Sequence, residues 1–292
     1  METSDLLKKV RHIEIKTRGL SKNIFVGEYH SAFKGRGMTF SEVREYQYGD
    51  AIRDIDWNVT ARFNHPYVKV FEEERELTVM LLIDVSASKE FGTQTQFKQN
   101  MMTEIAAVLS FSAIKNNDKI GVIFFSDKIE KFIPPKKGRK HILRIIRELI
   151  DFKPESKGTN ITEALKYFTN VIKKRCTAFI LSDFIDDGID NNLEDAFKIA
   201  NKKHDIVAIK IFDKRESQLP AIGLVKMKDA ETDKYIWVDT SNKQVRSNYE
   251  KSWKETELKQ HTIFKKSGVD YISVATNEDY IKPLIGLFKR RN

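Results

Sequence analysis

In the stretch LLIDVSASKE, residues 81–90, an apolar run turns polar and presents Asp84, Ser86 and Ser88 in strict alternation. On an extended segment that spacing puts a carboxylate and two hydroxyls on one side. Two more oxygen donors can join them: Thr159, in KGTN ahead of a helical pattern, and Asp183, which ends the apolar run TAFILSD. Two carboxylates and three hydroxyls are all hard donors. They suit a magnesium or manganese ion, octahedral at about 2.1 Å, with water or a partner's oxygen completing the shell. D-x-S-x-S alone does not specify a metal, because Asp and Ser also serve in turns and as helix N-caps. The weight rests on all five residues together.

Their positions follow from the elements that carry them. From Leu77 onward, apolar runs of strand length alternate with helical patterns. TVMLLIDV is almost continuously apolar, as a central parallel strand covered on both faces must be. FKQNMMTEIAAVLSFSAIKNN places Met101, Ile105, Val108, Leu109 and Ser112 at helical spacing, and KIGVIFFSDKIEKFIP predicts an antiparallel hairpin turning at Ser126, Asp127 and Lys128. Helices are expected at HILRIIRELI, ITEALKYFTNVIKK and LEDAFKIANKK, from about Asn248 to Lys266, and after Thr276. Strands are expected at TAFILSD, DIVAIKIFD and VDYISVA. The alternation predicts an α/β fold with a doubly wound, mostly parallel sheet and one antiparallel strand. With strand order 3-2-1-4-5-6, Asp84 ends the first strand and Asp183 the fourth, side by side at the switch point where such sheets bind ligands. Thr159 reaches the same crevice from the side.

Residues 1–76 fall outside this rhythm. They are rich in charge and glycine and read as a mainly extended region that packs on the α/β body formed by residues 77–292. A hairpin insertion is expected near 213–241. Arg44, Arg53 and Arg62 with Asp50, Asp54 and Asp56 read as an internal ionic network, and Trp57 as a packing residue. Asp186, Asp187 and Asp190 read as a solvated loop and helix cap.

At 292 residues with 40% hydrophobic residues, the chain is long enough for a large globular core. The single cysteine, Cys176, excludes an internal disulfide and a cysteine zinc site, and reads as a small buried hydrophobe. No run nears the ~20 apolar residues that span a bilayer, so a soluble, cytoplasmic protein is expected. The net charge of +9 is spread over the chain without interleaved aromatics, so nucleic acid is not the expected ligand.

Asp84-Val85-Ser86-Ala87-Ser88, with Thr159 and Asp183, resembles the metal-ion-dependent adhesion site of von Willebrand factor A domains. The resemblance implies that both serines bind the metal directly, that the threonine joins in the ligand-bound form, and that a partner's acidic residue supplies a last ligand. The longer stretch GRGMTFSEVREYQYGDAIRDIDWNVTARFNHPYVKVFEEERELTVMLLIDVSAS resembles the bacterial family called domain of unknown function 58. That family pairs such an N-terminal region with a von Willebrand A-like domain and implies a MoxR-type AAA+ ATPase as partner. Two residues depart from the adhesion-site pattern. Lys89 stands where a neutral residue often follows the second serine, and Lys157 replaces the first glycine of Gly-Gly-Thr. An ammonium at either place would repel a cation and favour an acidic partner at the rim.

Catalysis at a metal needs a positioned base or nucleophile. His12, His30, His65, His141, His204 and His261 are scattered, and H-E-x-x-H, a P-loop and a G-x-S-x-G elbow are absent. Haloacid-dehalogenase-type phosphate transfer needs an Asp where Ser86 stands. The expected function is therefore a non-catalytic interaction module, with a divalent-metal-dependent hydrolase as the alternative.

Overall fold

The computed structural model describes residues 39–72, 77–86, 98–156, 158–185, 191–228 and 235–291. Ser88, Lys89, Lys157, Asp186, Asp187 and Asp190 lie outside the described residues. The chain divides into two compact units, one of which is Lys34–Glu76, while the other contains everything from Leu77 onward.

In the smaller unit, β1 (Thr39–Glu45) pairs antiparallel with β2 (Tyr67–Glu72). Between them come one 3-10 turn, Ile52–Asp54, and the short helix α1 (Trp57–Phe63). Asp56 starts α1 by accepting from the backbone N–H groups of Asn58 and Val59 at 3.0 and 3.2 Å, the usual N-cap arrangement. The expected ionic network is present in part. Arg44 makes a two-pronged pair with Asp50 at 2.8 and 2.7 Å, but Asp56 faces Lys69 at 3.5 Å rather than an arginine. Trp57 corrects the sequence reading. It is the first residue of a seven-residue helix that buries none of its residues, and it is 66% exposed rather than packed.

The larger unit begins with β3 (Thr78–Asp84), followed by α2 (Lys98–Lys115), β4 (Lys119–Phe125), β5 (Ile129–Lys136), α3 (Arg139–Asp151) and α4 (Ile161–Val171). Then come β6 (Thr177–Ser182), α5 (Asn191–Lys203), β7 (Asp205–Phe212), α6 (Lys214–Ser217), β8 (Leu224–Lys228), β9 (Tyr235–Asp239), α7 (Lys243–Lys266), β10 (Asp270–Ala275) and α8 (Ile281–Arg291). The main sheet runs β10-β7-β6-β3-β4-β5. Counted along this unit, that is the expected order 3-2-1-4-5-6 read from its other edge. All pairings are parallel except β4 with β5. This is the doubly wound, mostly parallel sheet with one antiparallel strand that the sequence leads one to expect. The expected insertion is the separate antiparallel hairpin β8-β9. Helix α7 starts five residues earlier than its pattern suggested, because Asn242 caps it by accepting from the Gln244 N–H at 2.8 Å. Among the described residues no helix is long and apolar enough to cross a membrane.

The near-continuous apolar strands follow from having helices on both faces. Successive strand side chains point to opposite faces, so Val79, Leu81 and Ile83 join α2, α3 and α8 in one core. Met80 and Leu82 join α4, α5 and α7 in the other. At about 1.5–3 kcal/mol for each fully buried large apolar side chain, these two cores hold the sheet and thereby fix where its strand ends lie. Helix α2 is buried nearly all round, and its small polar residues return their hydrogen bonds to their own helix. Ser110 and Ser112 donate to the carbonyls of Ala106 and Val108 at 2.6 and 2.9 Å. Cys176 is buried as read, which pushes its thiol up to about 12.

Gly121 lets β4 approach β5 at the register shift between Ile120 and Val122. An added Cβ would lie 2.7 Å from Met80 Sδ, 2.9 Å from the Pro135 backbone nitrogen and 3.0 Å from the Ile133 carbonyl oxygen. Backbone cannot yield as a side-chain tip does. Gly121→Ala is expected to destabilise the larger unit by about 1–3 kcal/mol, read as a lower urea midpoint without loss of α/β circular dichroism.

Candidate metal centre

The main sheet delivers Asp84 and Asp183 from adjacent strands. β3 and β6 are in register from Val79 opposite Thr177 to Ile83 opposite Leu181, so Asp84 stands beside Ser182 and Asp183 follows at once. Both aspartates are buried, at 2% and 1% exposure. Asp84 Oδ1 accepts from the Ser86 N–H at 2.9 Å and Oδ2 from the Ser182 hydroxyl at 2.7 Å. Ser182 accepts in turn from the Phe184 N–H at 2.9 Å. Phe184 sits in the left-handed region at φ 56°, a conformation that costs a non-glycine residue energy and that surrounding structure must hold. Here its ring is buried 5.1 Å from that of Phe264, and its carbonyl accepts from Gln260 Nε2 at 2.6 Å.

Thr159 comes to the same edge of the sheet by a different route. The backbone N–H of Asn160 donates to the carbonyl of Ser126, just past β4, at 2.9 Å, and β4 is the neighbour of β3. Asn160 then caps α4 by accepting from the Glu163 N–H at 2.9 Å. The Thr159 hydroxyl is left buried without a hydrogen-bond partner among the described residues. A buried, unsatisfied hydroxyl is uncommon because it loses its hydration without replacement. Of the five residues read from the sequence, the structure thus sets Asp84, Ser86, Thr159 and Asp183 at the carboxyl edge of one sheet, and the fifth, Ser88, lies outside the described residues. No cluster of three or more His, Cys, Asp or Glu side chains with metal-binding spacing occurs among the described residues. A cation here would depend on hydroxyl and water oxygens as well as carboxylates, which is magnesium-like rather than zinc-like coordination.

One residue at this edge was not anticipated. Lys98, the first residue of α2, is fully buried, and its Nζ donates to Asp183 Oδ2 at 2.8 Å. The same ammonium also pairs with Glu216 Oε1. Burial works against the charged lysine, but the two carboxylates outweigh it and hold its pKa above the ordinary value. The signal was in the helical spacing: Lys98 precedes Met101, Met102 and Ile105 by three, four and seven residues, which places it on the buried face. Asp183 Oδ1 accepts from the Ile185 N–H at 3.1 Å. Glu216 is itself anchored in a capping box, accepting from the Asp213 N–H at 3.0 Å, while Asp213 Oδ2 accepts from the Thr276 hydroxyl at 2.7 Å.

Asp84 carries the electrostatic cost of the site. Burial first, and then the nearby charge of Asp183, push its carboxyl from 3.8 up to about 6, against the hydrogen bonds from Ser182 and Ser86. A raised carboxyl binds its proton more tightly in the folded state than in the unfolded one. Its stabilising contribution is therefore complete below about pH 3.8 and is lost as pH rises through about 6. In chelator, this one group is expected to cost about 3 kcal/mol across that window. Asp84→Asn should flatten that part of the pH–stability curve measured by urea denaturation.

Known proteins resemble this chain in family, sequence and fold. The model for "Protein of unknown function DUF58" matches residues 42–259. The uncharacterized protein Rv1480 of Mycobacterium tuberculosis is 29% identical over 229 residues, covering 78% of this chain and 71% of that protein. An aerotolerance-related membrane protein from Bacteroides fragilis has a crystal structure similar in fold, with a TM-score of 0.52 and 15% identity over 74% of this chain and 98% of that one. Proximal thread matrix protein 1 of the mussel byssus, solved with a zinc-occupied MIDAS motif, matches at a TM-score of 0.41 and 16% identity over 74% of this chain and 47% of that one. With its match spanning both the N-terminal strand pair and most of the α/β unit, the chain belongs to the DUF58 family of proteins of unknown function.

Proposed function

We propose that this chain is a non-catalytic interaction module that holds a divalent cation, magnesium or manganese, at the carboxyl edge of β3 and β6 and through it docks an acidic side chain of a protein partner. The observation that carries the reading is the buried Thr159 hydroxyl, without a hydrogen-bond partner among the described residues, at the edge where two carboxylates are also buried. A cation and its water would satisfy that oxygen and offset the mutual repulsion of Asp84 and Asp183. In this reading Asp84, Ser86, Ser88, Thr159 and Asp183 hold the ion directly or through water, and Ser182 orients Asp84. The cation's role is to fix and strengthen a carboxylate from the partner, as charge-assisted contacts do. The family resemblance supplies the candidate partner, a MoxR-type AAA+ ATPase.

Support for a non-catalytic role is chemical. His204 is fully buried beside Cys176 and Phe168, and burial lowers its pKa to about 4. His141 Nε2 lies 2.9 Å from the Ile120 carbonyl oxygen. Both sit on segments away from Asp84 and Asp183, so neither offers a general base there. A hydrolase would need its base or nucleophile from elsewhere.

Binding between the full chain and the MoxR-type ATPase of the same organism, measured with Mg2+ and then with excess chelator, tests the reading. Asp84→Ala and Thr159→Ala are each expected to weaken Mg2+-dependent binding at least about tenfold, the scale of losing one strong contact, with the fold retained by circular dichroism. Equal binding in chelator would refute the metal bridge. Mg2+-dependent hydrolysis of a phosphoester panel, abolished by Asp84→Ala, would replace the interaction module with the hydrolase.

A further inference from the structure

We propose that Lys98 is the resident counter-cation of this edge, and that it competes with a divalent ion for Asp183 by moving its ammonium between Asp183 and Glu216. The inference rests on the metal reading above and specifies how this chain tunes it. Three observations converge. Lys98 is fully buried, so its charge can be balanced only by what it touches. It touches two carboxylates, on β6 and α6, rather than one. Of these, Asp183 is a candidate ligand, whereas Glu216 belongs to α6 and is anchored there, accepting from the Asp213 N–H in a capping box that the Thr276 hydroxyl backs.

The consequence is set by Coulomb's law. Two cations on one buried carboxylate repel each other strongly. A divalent ion at Asp183 therefore requires the ammonium to withdraw. Glu216, which it already touches, can receive it without a return to water. Without the divalent ion, the ammonium keeps Asp183 paired and the edge folded. Lys98 is thus a positioning residue that lowers affinity for the ion while stabilising the ion-free protein. It also links occupancy at β3 and β6 to the β7–α6 junction and the end of β10. A lysine merely filling the interior would have no such double effect.

Calorimetric titration of the full chain with Mn2+, read beside thermal unfolding in chelator, tests this. Lys98→Met is expected to tighten Mn2+ at least about tenfold and to lower the unfolding temperature in chelator, because it leaves two buried carboxylates unpaired. Glu216→Gln, which removes one of the two carboxylates the ammonium touches and leaves Asp183 as the other, is expected to weaken Mn2+ at least about threefold. In a Lys98→Met background, Glu216→Gln should change affinity by less than about twofold, because the ammonium it served is gone. Shifts of the same sign in the two single variants, or full additivity in the double variant, overturn the proposal. If Lys98→Met does not fold, Glu216→Gln decides alone: unchanged or tighter Mn2+ binding overturns it. Should wild-type protein show no Mn2+ binding that Asp84→Ala removes, the metal reading fails and takes this inference with it. If wild-type binding is lost in Asp84→Ala while Lys98→Met and Glu216→Gln behave as wild type, only the competition fails.

Discussion

A lysine ammonium with no exposure to water, held between Asp183 and Glu216, is the constraint on which the carboxyl edge of this sheet depends. An ion taken out of water loses several kcal/mol of hydration, and only close opposite charges return it. For Lys98 to stay charged, the start of α2, the end of β6 and the short helix α6 must meet at one point. None of these three can shift alone without stranding a charge. The edge is therefore pinned by electrostatics as well as by the apolar cores, which reach it through Val85 on one face and Phe184 on the other.

Around that pin, the hydrogen bonds form a chain that crosses the sheet. Ser182 joins Asp84 to the backbone of Phe184, and Gln260 of α7 holds the Phe184 carbonyl while accepting from Lys210 Nζ at 2.6 Å. Lys210 is a second buried ammonium, 4.8 Å above the Trp253 ring, and burial lowers its pKa. The left-handed Phe184 is what this chain of contacts holds in place. Backbone strain of that kind persists only where neighbours over-determine it. Here the neighbours are a buried aromatic pair and a glutamine on a long helix, so Phe184 is tied to α7 as well as, through Ser182, to Asp84. The same principle explains the donor set. Carboxylates buried side by side need hydroxyl and amide donors around them, and the serines and backbone N–H groups at the strand ends supply these.

Much of this was legible in the residues. Continuous apolar runs between helical patterns can be satisfied only by a sheet with helices on both faces. Given that sheet and the order 3-2-1-4-5-6, Asp84 stands beside the segment ending in Asp183, and the folded chain has that order. Local chemistry was equally readable at the polar turn between β4 and β5, where the Ser126 N–H donates to the Lys128 carbonyl. Trp57 was misread because an aromatic residue promises burial only when a second layer exists to cover it, and its short helix has no buried side.

What the tertiary structure alone decided is the electrostatics of the edge. Lys98 and Asp183 are 85 residues apart, and Glu216 comes from a third element that looked like the start of an insertion. Periodicity places Lys98 on a buried face, but it does not say which charges wait there. The type of a residue and its spacing determine which face it takes on its own element, since both depend on the local backbone. Which partner meets a buried charge depends on how distant elements cross, and that is set by packing between faces rather than by any local pattern. The sequence by itself therefore determined the fold class and the oxygen donors of the candidate site. Only the folded chain decided that one of those donors already holds a cation of its own.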